Sequence, residues 1–156
     1  MPRFQDEFAR EMQETEDWFT YIAGEERIFP DPLWQYALPR GDGYIPHDIT
    51  GYSFSATARF FDSVQVQMGL DGSMNIKRIV PSTTRQETSL TVVTNDSEGQ
   101  VAVVFPPDIW TGDVPFNTDR PPAIGVWLYA TPTPEDRSFP NQPETWTERF
   151  LVVVRS

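Results

Sequence analysis

A chain with one histidine and no cysteine has few routes to covalent or metal chemistry. Any imidazole base, triad or zinc site must pass through His47, which stands beside Asp48 at the mouth of a strand, a place where such a pair more often closes a turn. Glu135 and Asp136 form an adjacent carboxylate pair between Pro134 and Arg137. Neighbouring residues in a loop do not usually face one substrate, so solvated charge is the favoured reading over general acid–base work. Asp71, Ser73 and Asn75 place oxygens at alternate positions like the start of a calcium loop, but the later ligating glutamate and the helical flanks are missing, which leaves a hairpin turn. Gly41-Asp42-Gly43 has neither the lysine nor the following helix of a phosphate loop. Without cysteine there is no thiolate metal site, thiol nucleophile or disulfide framework. The expectation is a chain that is not an enzyme, with no cofactor and no metal.

The elements that would carry these residues are read most clearly after Gly51. From Tyr52 the apolar residues fall on every second position (Tyr52, Phe54, Ala56, Ala58, Phe60), opposite Ser53, Ser55, Thr57 and Arg59, the period of a half-buried antiparallel strand. Val64, Val66, Met68 and Leu70 continue it, Asp71-Gly72 makes a hairpin turn, and Ser73 to Val80 returns. Thr88 to Thr94 and Gln100 to Phe105 form a second hairpin, followed by strands over Ala123 to Thr131 and Thr145 to Arg155. The intervening loops, Pro106 to Pro122 and Pro132 to Pro143, are long, and the first contributes Trp110 and Phe116 as candidate contact residues. Fifteen prolines and nine glycines suit short strands and turns. With 156 residues, one β-sandwich of about seven strands over 48–156, plus an appendage, is the expected organisation.

The appendage divides in two. Residues 1–24 read as an amphipathic helix, because Phe4, Phe8, Met12, Phe19 and Ile22 recur near helical spacing with Trp18 beside them, and Gly24 is placed to end it. Residues 25–47 read as a proline-rich linker that still carries Phe29, Leu33, Trp34 and Tyr36. So many large apolar groups need a cover, either the chain's own sheet or a neighbouring subunit. On the second alternative, Phe4, Phe8, Met12, Trp18, Phe19, Ile22, Phe29, Leu33, Trp34 and Tyr36 form a subunit interface.

The net charge of −11 argues against a nucleic-acid backbone or an anionic membrane surface as principal partner. No apolar run reaches membrane-spanning length, and the acidic N-terminus lacks the order of a signal peptide.

Asp48-Ile49-Thr50-Gly51-Tyr52 entering a strand that bears Arg59, then Gly99-Gln100-Val101-Ala102-Val103-Val104-Phe105 before Pro106, then Gly125-Val126-Trp127-Leu128-Tyr129, then Phe150-Leu151-Val152-Val153-Val154, resembles the small immunoglobulin-like β-sandwiches of tailed-phage tail and baseplate proteins. Within that class the chain resembles the N-terminal domain of baseplate upper proteins. Ala130 stands where that family usually has an acid, and the resemblance covers 48–156 only. It implies an antiparallel immunoglobulin-like β-sandwich serving as a structural virion protein, and with the helix read over 1–24 the expected fold is mainly β, such a sandwich with an N-terminal helical arm. Its implied partners are other virion proteins and further copies of itself, and its implied location is the tail region of a particle made in the host cytoplasm. A carbohydrate-binding sandwich that stacks sugars on Trp110, Trp127, Trp146 and Tyr129 is the alternative, with a small hydrolase third.

Overall fold

The computed structural model describes residues 9–13, 18–35, 37–40, 43–72, 74–115 and 119–156, with the backbone alone within 31–45 and at Met74. The chain is mainly β. Its described strands are β1 (Trp18–Ile22), β2 (Arg27–Gln35), β3 (Ala37–Arg40), β4 (Gly43–Pro46), β5 (Ser53–Met68), β6 (Met74–Pro81), β7 (Thr88–Asn95), β8 (Gln100–Phe105), β9 (Ala123–Thr131) and β10 (Trp146–Arg155). All except the β3–β4 pair join one sheet in the order β1-β10-β9-β5-β7-β8-β2, with β6 laid along β5. The two ends of that order, β1 and β2, are consecutive in the chain and linked by a short turn in which Glu25 N donates to Ile22 O at 3.2 Å. The sheet therefore curls back on itself and is nearly barrel-like.

β5 is the strand on which the others are hung. Its first part pairs with β9 from Ser53 to Phe61 and with β7 over Ala56–Ala58, while its second part pairs with β6 from Phe61 to Met68. The period of two sends Ala56, Ala58 and Phe60 inward against Ile124, Val126 and Leu128 of β9 and Val101, Val103 and Phe105 of β8. Small residues on β5 make room for rings from the ends of the sheet. Phe29 of β2 sits 4.9 Å from Phe105 and 5.8 Å from Phe19 of β1, and Phe19 meets Phe150 of β10 edge-on at 5.4 Å. These rings, from β1, β2, β8 and β10, close the curled sheet by side-chain packing.

β9 and the second half of β10, from Phe150 to Val154, are buried on both faces, which is why they read as nearly unbroken apolar runs. Behind the main core, a second cluster joins Ala123 and Trp127 of β9 and Leu151 of β10 to Phe61, Val64 and Ile76 of the β5–β6 hairpin and to Met12. Met12 lies on a helical turn over residues 9–13, and Trp127 Nε1 donates to Glu11 Oε2 on the same turn at 2.8 Å. Gly125 is required here. A Cβ on it would lie 2.8 Å from Phe61 Cε2, 3.0 Å from Met12 Cγ and 3.0 Å from Trp127 Cζ3.

The N-terminal third departs from the sequence expectation. The helix expected over 1–24 gives way at Trp18 to β1, which runs parallel to β10 with Trp18 opposite Leu151 and Ile22 opposite Arg155. Trp-Phe-Thr-Tyr-Ile is a run of aromatic and β-branched residues that fits a pleated, half-buried surface better than a helix. Gly24 does end an element, at φ +95°, but the element is a strand. The linker expected over 25–47 contains β2, which pairs with β8, and the β3–β4 hairpin. Its prolines are accommodated because β2 shifts register between Phe29 and Trp34, so Pro30 and Pro32 fall in an irregular stretch where no ladder donor is required.

Candidate functional site

Between β5 and the segment joining β6 to β7 lies a cavity of about 370 Å³ lined by Arg59, Phe60, Phe61, Pro81, Ser82, Arg85, Gln86 and Glu87. Its outer wall is a loop held at three places. Ser82 N donates to Phe60 O at 3.0 Å, which pins the end of β6 to β5. Ser82 Oγ then accepts from Thr84 N at 3.3 Å and Arg85 N at 3.0 Å, a serine turn that folds the loop over. Glu87 Oε2 meets Arg59 Nη1 at 2.6 Å and ties the far end of the loop to β5.

Arg85 is fixed by a different set of contacts. Its guanidinium lies 3.6 Å from the centre of the Trp110 ring, and Nη2 donates to Thr111 O at 2.6 Å. Trp110 is itself buried and lies 6.1 Å from Phe60, so it transmits the rigidity of the main core to the guanidinium above it. Among the described residues no carboxylate lies within ion-pair distance of Arg85. The wall thus holds two guanidiniums and one carboxylate, a net positive lining in a chain whose net charge is −11.

A second polar cluster sits at the entry to β5. Asp136 Oδ2 accepts from Tyr52 Oη at 2.6 Å and stands 3.1 Å from His47 Nε2, with Thr133 Oγ1 at 3.4 Å. Because the carboxylate can only accept, Nε2 carries the hydrogen. The hydrogen bond from Tyr52 is the main cause holding the Asp136 carboxyl below its ordinary range, against desolvation that pushes it up. Asp48 turns the other way and accepts from Thr50 N at 2.9 Å and Thr50 Oγ1 at 2.6 Å, closing the turn before β5. His47 therefore pairs with a residue 89 positions away rather than with its neighbour. The cluster ties the Pro132-to-Pro143 loop to the start of β5. Among the described residues there is no group of three or more histidine, cysteine, aspartate or glutamate side chains placed to hold a metal ion.

Of the residues expected at a subunit interface, Met12 and Phe29 are buried in the chain's own clusters, and Trp18 and Phe19 are partly buried against them. Ile22 is half-buried on β1, and Trp34 pairs through its backbone with Val101. Leu33 lies on β2 with no described side chain, and Phe4, Phe8 and Tyr36 fall outside the described residues. Met12 and Phe29 are thus covered in cis, while Trp18, Phe19 and Ile22 keep part of their surface exposed. Phe116 is likewise outside the described residues, while Trp110 faces the core beneath Arg85 rather than solvent. Trp127 is buried too, so neither indole offers a face to a sugar; Trp146 packs edge-on to Tyr52 at 5.7 Å. Sequence reasoning passed over Arg85. Its only signal was a lone cation in a polar loop, and its setting is created by Trp110, 25 residues further on.

No helix among the described residues is long and apolar enough to cross a membrane. The chain matches no protein-family model, no curated protein and no solved structure.

Proposed function

We propose that this chain is a non-catalytic structural protein of a tailed-phage particle, acting as a rigid β body that assembles with other virion proteins and with further copies of itself. On this reading the curled sheet is an immunoglobulin-like sandwich. One layer is β6-β5-β9-β10-β1 and the other β7-β8-β2, joined where Ala56–Ala58 meets Leu90–Thr88. The observation that carries the assembly role is the β5–β6 hairpin. Beyond Phe61, β5 has left β9 and pairs with β6, and the hairpin carries Met68 at 68 % and Leu70 at 111 % exposure to its tip. Apolar side chains held out on a paired, twisted hairpin suit a contact with a neighbour. Of the N-terminal residues expected to make that contact, Met12 and Phe29 are buried in the chain's own clusters.

The virion assignment rests on the resemblance of residues 48–156 to phage baseplate sandwiches. Its test is mass spectrometry of density-purified phage particles released from cells that encode the chain. The protein is expected in fixed stoichiometry with the tail proteins, and its absence from intact particles overturns the reading. Leu70→Asp should leave the purified chain folded and exclude it from particles; normal incorporation of that variant removes the hairpin from the interface.

A further inference from the structure

We infer that the cavity between β5 and the β6–β7 segment is a binding site for a small organic monocarboxylate, with Arg85 as its anchor. This goes beyond the assembly reading and does not depend on it. A volume of about 370 Å³ is on the scale of small-molecule sites and too small for a folded partner. Arg85 brings a guanidinium that stacking on Trp110 and a single bond to Thr111 O hold in place. The guanidinium has five N–H donors, and that carbonyl occupies one of them. These two contacts already orient it in the free protein, so less side-chain entropy is lost when an anion docks than for an unsupported arginine. Ser82 Oγ uses its lone pairs on two backbone amides, which leaves its O–H to donate, and Gln86 lines the same wall.

Charge selects the class of ligand. Arg59 is compensated by Glu87 at 2.6 Å, so the lining has one guanidinium in excess, which matches a monoanion better than a doubly charged phosphate. Phe60, Phe61 and Pro81 supply the apolar part of the lining and favour a ligand with a hydrocarbon or aromatic body over a bare inorganic ion.

The test is a titration of the full chain with benzoate at pH 7, followed by amide and indole NMR shifts. Saturable shifts are expected at Ser82, Arg85, Gln86 and the Trp110 indole, with a Kd of about 1 mM for so small a ligand. Benzamide, the neutral isostere, should bind at least about tenfold more weakly, as expected for losing a charge-assisted bond. Arg85→Gln should weaken benzoate by about tenfold to a hundredfold. Because that change also removes the stack on Trp110, Gln86→Glu serves as the second variant: Gln86 is exposed, the fold is untouched, and a carboxylate in the wall should abolish binding. The inference is overturned by absence of saturable shifts up to about 10 mM benzoate, roughly ten times the expected Kd. Equal binding of benzamide or of inorganic phosphate at these residues overturns it too, as does unchanged benzoate affinity in Gln86→Glu.

Discussion

Replacing Phe29 by alanine separates a structural β2 from a tether. The ring is 1 % exposed and has four aromatic neighbours: Phe105 at 4.9 Å, Phe19 at 5.8 Å, and Tyr21 and Phe150 each at 6.3 Å. Truncation to alanine in a core costs about 3–5 kcal/mol, the upper end applying where the surroundings cannot collapse into the space. The four rings belong to β1, β8 and β10, whose backbones are fixed by pairing, so a value near about 4 kcal/mol is expected. Against a total stability of about 5–15 kcal/mol for a domain, that is a large share. With a urea m-value of about 2 kcal/mol/M, it lowers the unfolding midpoint by about 2 M. Tryptophan fluorescence during urea titration reads this directly. Ile28→Ala, the adjacent residue on the same strand at 45 % exposure, is the control and should cost below about 1 kcal/mol. A midpoint shift below about 0.5 M for Phe29→Ala, or equal shifts for the two variants, would refute the placement of β2 in the core.

Three further outcomes follow from the packing and the polar clusters. Gly125→Ala should destabilise by about 1–3 kcal/mol, because the new methyl must displace Phe61 and Trp127 in an already filled cluster; calorimetry showing an unchanged melting temperature would contradict it. The Asp136 carboxyl is depressed in the folded chain, chiefly by the Tyr52 hydrogen bond, so its contribution is present at neutral pH and is lost as pH falls below the ordinary carboxylate value of about 4. Tyr52→Phe should therefore lose less stability than the parent between pH 7 and acid, and parallel pH profiles in urea titrations would contradict that. Met12→Ala should cost about 2–5 kcal/mol by cavity formation behind β9, and a loss near zero by the same titration would detach the helical turn from the body.

The strands after Gly51 were legible because each side chain's face follows from its own sequence position. Of the apolar face read from Tyr52 onward, Ala56, Ala58 and Phe60 are buried in the main cluster, and Tyr52 and Phe54 pack against it half-buried. The Asp71-Gly72 turn is where it was expected, with Gly72 at φ +83°. The N-terminal strands were not legible for a physical reason. Met12, Phe19 and Ile22 happen to fall at helical spacing, and the short-range pattern does not contain the parallel pairing of β1 with β10, more than 130 residues away. β2 was hidden by Pro30 and Pro32, which are tolerated only because the strand breaks register there. The candidate cavity was hidden more thoroughly. It is built from β5 and the segment after β6, with Arg85 seated on Trp110 from the loop after β8, and no single stretch holds the combination of Arg85, Trp110 and Glu87. The His47–Asp136 contact spans most of the chain and was equally out of reach.

The most direct measurement is the behaviour of the chain with residues 1–26 removed. That deletion takes away the helical turn, β1 and Tyr21, whose ring is buried and whose hydroxyl donates to Glu25 O at 2.6 Å. It exposes one edge of β10 and opens the outer cluster over Trp127. If the N-terminal strands complete the body, the truncated chain should lose cooperative urea unfolding and amide protection in β9 and β10. A soluble truncated chain that unfolds cooperatively, with protection in β9 and β10 intact, would show that these residues are an arm after all and return them to the subunit interface.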